Sequence, residues 1–165
     1  MTTVSPNHLA HPRRCVIADD VRVIREQLGH WMQELGYSVV HASCGATALV
    51  ELRREPTDLV IADIDMPHVS GLHLLQTIRA DADNAVAAIP VIVSSSLEDG
   101  EIGRMVTALG GSAYLKKPVS KAQMMACVNF LSQDNQSAPV NDHSCSPHSV
   151  SAKFRRIASD FQEFD

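Results

Sequence analysis

A chain of 165 residues with 45% hydrophobic content is long enough to bury one sizeable core, so a single globular unit with free ends is the expectation. Its 19 acidic against 14 basic residues give a formal charge of -5, which offers no overall attraction to phosphate backbones or anionic lipid. No run approaches the roughly 18 consecutive apolar residues of a membrane span, and the first 14 residues hold no apolar stretch, so a soluble, cytoplasmic chain is predicted. The four cysteines, Cys15, Cys44, Cys127 and Cys145, stand singly without a CxxC pair and read as reduced thiols, mostly buried.

Residues 1–13 are predicted to be a flexible N-terminal segment. From residue 14 onward, short apolar runs rich in β-branched residues alternate with longer segments of helical period. The first predicted strand is 15–18. Val23, Ile24, Leu28, Trp31, Met32 and Leu35 then form a helical stripe that ends at Gly36. Strands follow at 38–42 and 58–62, and then a stripe of Leu72, Leu74, Leu75 and Ile78. A strand at 91–93 leads into Ser94-Ser95-Ser96. The Gly110-Gly111 pair marks a helix end before the last strand at 113–116. Ser120 and Gln123 have capping-box spacing ahead of a stripe of Met124, Met125, Val128 and Leu131. Methionine and tryptophan at these positions are expected to pack in the core rather than hold a cofactor.

The unbroken apolar character of several strands suits a parallel sheet covered on both faces. The predicted fold is therefore α/β, a flavodoxin-like doubly wound sheet of five parallel strands in the order 2-1-3-4-5, spanning residues 14–132. Residues 133–149 are polar, carry two prolines and read as a linker. In residues 150–165, Val150, Phe154, Ile157, Phe161 and Phe164 recur at spacings of four, three, four and three, the apolar face of an amphipathic helix. Two heptads alone are marginal in water, so Phe154, Ile157 and Phe161 are expected to bind something, either the body of the domain or a partner.

The acidic residues fall where strands end. Asp19 and Asp20 follow the first strand and Asp63 follows the third, and in the order 2-1-3-4-5 these strands are neighbours at the topological switch point where ligands bind. Three carboxylates held together raise one another's pKa unless a cation neutralises them, and a set of hard oxygens suits Mg2+. A lone acidic pair is ordinarily a turn; placement at two adjacent strand ends favours a site. Ser95 after the fourth strand and Lys117 after the fifth bring a hydroxyl and an ammonium to the same rim, as a phosphoryl group requires.

Ala18-Asp19-Asp20, the run from Asp58 to Pro67, Ser95, and the run from Ala113 to Pro118 together resemble the receiver domain of bacterial response regulators, over residues 13–132. The resemblance implies that Asp63 is the phosphoacceptor, that Asp20 binds Mg2+ directly with Asp19 acting through the metal's waters, and that the main-chain carbonyl of Asp65 completes the protein ligands. It implies Ser95 as the switch hydroxyl, Tyr114 as the aromatic that turns with it, Lys117 as the lysine that pairs with acceptor and phosphoryl, and a cis peptide before Pro118. The implied partner is a histidine kinase or phosphotransfer protein. With no DNA-binding motif after the linker, output through protein contact is expected, with neither nucleic acid nor membrane as partner and no turnover of a free substrate.

Some positions depart from the family pattern. His68 and Ser70 stand where the family often has Gly and Asp, Asp65 adds a carboxylate near the acceptor, and Leu97 offers no polar group to position water. A phosphatase of the haloacid-dehalogenase type is the rival from another class, with Asp63 as nucleophile and Asp65 as general acid. Met66-Pro67 and the presence of Asp19-Asp20 count against it. A receiver-like scaffold that never accepts phosphate is the other alternative.

Overall fold

The computed structural model describes residues 12–97 and 100–134. Five strands alternate with helices: β1 (Arg14–Ala18), α1 (Arg22–Glu34), β2 (Ser38–Ala42), α2 (Gly45–Arg54), β3 (Leu59–Asp63), α3 (Gly71–Arg79), α4 (Asn84–Ala87), β4 (Val91–Ser95), α5 (Gly100–Ala108), β5 (Ala113–Lys116) and α6 (Lys121–Asp134). All strand pairs are parallel, in the order β2-β1-β3-β4-β5, which is the doubly wound arrangement expected. Among the described residues no helix is long and apolar enough to cross a membrane.

Alternation along the strands divides the core into two layers, because successive side chains point to opposite faces of a sheet. Val16, Val60, Ala62, Val91 and Val93 pack with Ala48, Leu52, Leu74, Leu75, Ile78 and Val106 from α2, α3 and α5. Cys15, Ile17, Leu59, Ile61 and Ile92 pack on the other face with Leu28, Trp31 and Met32 of α1 and Met124, Cys127, Val128 and Leu131 of α6. β1, β3 and β4 are buried along their whole length, which is why they read as continuous apolar runs.

The structure adjusts several sequence-based boundaries. β3 runs from Leu59 to Asp63, one residue later than predicted: the Asp58 carboxylate accepts the Arg14 N–H at 2.7 Å, and the ladder continues past Asp63 with Ile64 N–H donating to Ser94. β4 extends to Ser95 because Ser95 pairs with Lys116 and its carbonyl accepts the Lys117 N–H. Val23 is 71% exposed and does not belong to the inward stripe of α1. Cys44 is half-buried at the N-cap of α2, unlike the buried Cys15 and Cys127; hydrogen bonds with Thr47 hold its thiol below the usual value. α4, which buries no residue, left no periodic signal. α6 continues to Asp134, two residues beyond the expected domain end.

Other local expectations hold. Gly36 and Gly110 take φ of 81° and 82° after α1 and α5, the left-handed conformation that glycine adopts without a Cβ clash. The Ser120 hydroxyl accepts from the Gln123 N–H while the Gln123 side chain accepts from the Ser120 N–H, a reciprocal capping box at the start of α6.

Candidate functional site

The register of the sheet assembles the site. Ala18 pairs with Ala62, and Asp63 pairs with Ser94, so Asp19, just past the end of β1, lies level with Asp63 on the neighbouring strand, with Ser95 one step beyond. Asp19, Asp20 and Asp63 each bring a carboxylate oxygen within 4.8 Å of the others. Asp63 is 3% exposed and Asp19 1%, whereas Asp20 faces solvent.

Lys117 ties the group together. Its Nζ lies 3.0 Å from Asp63 Oδ1 and 3.0 Å from Asp19 Oδ2. A cis peptide joins Lys117 to Pro118 where the ammonium enters the site. Burial raises the Asp63 pKa; Lys117 pulls it back, and the neighbouring Asp19 charge adds to the rise, leaving the carboxyl above its ordinary value. For Lys117, burial opposes its charge, but the attraction of both carboxylates, with the hydrogen bond to Asp19, outweighs burial and holds the ammonium above its ordinary pKa.

Asp19 has its acceptors committed to the protein. Oδ1 accepts the Val21 N–H at 2.8 Å, Oδ2 faces Lys117, and its main-chain carbonyl accepts from the Arg25 guanidinium. Sequence reasoning passed over Arg25; its only signal was a cation one turn into the helix that follows the acidic pair. A Cβ at Gly71, which opens α3, would collide with the Asp63 carbonyl, so the chain can return this close to the acceptor only with glycine. His68, in the same loop, holds φ at 66°, a left-handed conformation that costs a residue with a Cβ.

On the opposite flank, fully buried Ser95 donates through Oγ toward Asp65 Oδ2 at 3.4 Å and accepts the Leu97 N–H at 3.1 Å. Ser96 Oγ also approaches Asp65 Oδ2, at 3.5 Å. The half-buried Tyr114 donates its hydroxyl to the Leu97 carbonyl at 3.3 Å. A groove of about 300 Å³ opens beside Lys117, walled by Ile24, Leu28, Trp31, Val119 and Met124. The fold thus brings together Asp19, Asp20, Asp63, Asp65, Ser95, Tyr114 and Lys117. Phe154, Ile157 and Phe161 lie outside the described residues.

Three carboxylates against one ammonium leave the crevice with an excess of negative charge. Asp63 Oδ1 is buried with Lys117 nearby but no aligned hydrogen-bond donor. A hard divalent cation fits both features, since it neutralises the excess and takes up carboxylate oxygens that the protein leaves short of partners.

Comparison with known proteins decides the family. The model of the response regulator receiver domain matches residues 15–129. The chain belongs to the response regulator receiver domain family. This receiver is 33% identical over 132 residues to a probable transcriptional regulator, ycf27, of Guillardia theta, a match that spans 79% of this chain and 49% of that protein. It is 34% identical over 113 residues to a gliding motility regulatory protein of Myxococcus xanthus, spanning 68% of this chain but 14% of that protein. The match thus spans half or less of these curated relatives. A response regulator receiver protein of Pseudomonas putida superimposes with a TM-score of 0.67 at 32% identity, over 74% of this chain and 99% of that one. The Vibrio cholerae chemotaxis protein CheY4 has the same fold, with a TM-score of 0.68 at 22% identity over 73% of this chain and 99% of the other.

Proposed function

We propose that this receiver accepts a phosphoryl group on Asp63 from a phosphohistidine of a partner histidine kinase or phosphotransfer protein, and that it signals through protein contact without turning over a free substrate. The observation that carries this reading is the placement of Lys117 at 3.0 Å from both the buried Asp63 and Asp19. An Asp63 oxygen attacks phosphorus, the O–P bond forms as the P–N bond to imidazole breaks, and the leaving nitrogen takes a proton from solvent. Lys117 favours the ionised form of Asp63 against burial and stands ready for the negative charge of the arriving phosphoryl oxygens.

Asp20, Asp63 and the main-chain carbonyl of Asp65 would hold Mg2+, with Asp19 acting through its waters; when bound, the ion supplies charge neutralisation for the transferring group. Ser95 then exchanges its contact with Asp65 for the phosphoryl oxygens, and Tyr114, tethered to the Leu97 carbonyl, moves with the segment that follows β4. The groove beside Lys117 gives a donor protein apolar surface next to the acceptor. The net charge of -5 supports a protein rather than nucleic acid or membrane as partner, and the free thiols of Cys15, Cys44 and Cys127 support a cytoplasmic setting.

Intact mass after incubation with acetyl phosphate and Mg2+ tests the proposal. The wild type is expected to gain one phosphoryl group and Asp63→Asn none. Gain in neither favours a receiver-like scaffold, and catalytic release of free phosphate favours the phosphatase reading in which Asp65 is the acid.

A further inference from the structure

Ser94 is a short polar residue in a layer otherwise filled by long apolar ones. β4 turns Val91 and Val93 toward α2, α3 and α5, and Ile92 toward α1 and α6. Alternation puts Ser94 on the same face as Ile92. There it lies between Asp63 and Leu115 on the flanking strands, 1% exposed, and its hydroxyl has no hydrogen-bond partner among the described residues. A buried hydroxyl without a partner is costly, and the phosphoryl chemistry makes no use of this one. Ser94 lines the groove of about 300 Å³ that opens between α1 and α6. Ile24, Leu28 and Trp31, at spacings of four and three along α1, wall one side, and Val119 and Met124 wall the other. Gln27 and Ser96 add the few other polar groups beside Lys117.

We propose that this groove binds a small neutral bicyclic aromatic molecule whose hydroxyl or N–H group pairs with Ser94. Apolar walls with a few placed polar groups are the makeup of a small-molecule site, and the unpartnered hydroxyl fixes where the polar end of the ligand goes. Size sets the ring system: the groove holds about twice the volume of a cavity of roughly 150 Å³ that accepts benzene. Charge sets the class. The Lys117 ammonium is committed to Asp19 and Asp63 at 3.0 Å each, with the Asp20 carboxylate close by, so nothing at the groove is left to balance an anion. A bound molecule takes the apolar surface that the groove offers a donor protein; that consequence rests on the function proposed above, whereas the binding does not.

Titration of the full chain with β-naphthol, followed by NMR without Mg2+ or any phosphodonor, tests it. Trp31 is the one tryptophan of the sequence, so its indole N–H gives a single resonance at the groove wall. That resonance is expected to shift saturably, with a dissociation constant on the order of 0.1–1 mM. Ser94→Ala should weaken binding about fivefold through loss of one hydrogen bond, and Ser94→Leu should abolish it by filling the groove. β-Naphthoate, with the same rings but a negative charge, should bind about tenfold more weakly. A Trp31 shift that stays linear up to the solubility limit overturns the proposal and leaves the groove to water. Equal affinity in Ser94→Leu also overturns it, as does naphthoate binding as tightly as naphthol. Should Ser94→Leu fail to fold, unchanged affinity in Ser94→Ala is the overturning result.

Discussion

Both ends of the sheet hold buried charge, and they treat it in opposite ways. At the amino-terminal ends of the strands, Arg14 is 7% exposed and both its terminal nitrogens donate, with only Nε left without a hydrogen-bond acceptor. Its guanidinium donates to the Glu51 and Glu55 carbonyls, to Thr57 Oγ1 at 2.6 Å and to Glu51 Oε2 at 3.1 Å, with Glu55 Oε2 at 3.6 Å from Nε. At the carboxyl-terminal ends, Asp19 and Asp63 share one lysine with the Asp20 carboxylate close by, and the buried Asp63 is left above its ordinary pKa. Closed charge clusters tie elements together; an open one holds a deficit that a ligand can fill.

The largest effect should come from opening the closed end. Arg14→Ala leaves Glu51 Oε2, Thr57 Oγ1 and two carbonyls without their donor, although Arg54 still holds Glu51 Oε1, and is expected to lower unfolding stability by about 3 kcal/mol in urea titrations. A negligible loss would remove the distinction between the two ends. Filling the open end should act in the other direction: Mg2+ at ten times its dissociation constant is expected to stabilise the wild type by about 1.4 kcal/mol, with little effect on Asp63→Asn. Chelation should reverse the gain, and equal shifts in both proteins would place any ion elsewhere.

Without metal, Asp63→Asn is itself expected to stabilise the fold at neutral pH by about 1 kcal/mol, the scale of a buried polar group short of partners. The sign follows from linkage. The folded state holds the Asp63 proton more tightly than the unfolded chain, whose value is 3.8, so ionisation costs stability as pH rises above that point. The advantage of asparagine should therefore be absent below about pH 3.8 and complete above the folded-state pKa, and denaturation at a series of pH values checks it.

Among the described residues, the one non-glycine residue with positive φ, His68, also lies at the open end. Replacing it with glycine should raise stability by up to about 1 kcal/mol, because the φ of 66° no longer opposes a Cβ. Asp65→Asn should be the smallest perturbation, within about 0.5 kcal/mol in stability, since Asp65 is exposed and its serine contacts are long. It is nevertheless expected to slow loss of the phosphoryl group, because an amide cannot take a proton from an attacking water; an unchanged decay rate would separate Asp65 from the chemistry.

By itself the sequence determined the class of fold, the order of its elements and which residues could meet at the rim. Apolar runs, helical stripes and caps are local signals, and Asp19, Asp20, Asp63, Ser95 and Lys117 stand at positions those signals bracket. Tertiary structure decided what depends on distant partners. Asp63 and Ser95 became strand residues because ladders from Ser94 and Lys116 reach them, a matter of register that no single segment contains. Val23 turned outward because only the facing strands define which side of α1 is buried. The bridge from Lys117 to both Asp19 and Asp63 required strands separated in sequence to lie side by side, while the grip of Arg25 on the Asp19 carbonyl and the close return of Gly71 needed only the folded path of the loops after β1 and β3. Periodicity is a property of neighbours along the chain, whereas charge balance in a crevice belongs to neighbours in space.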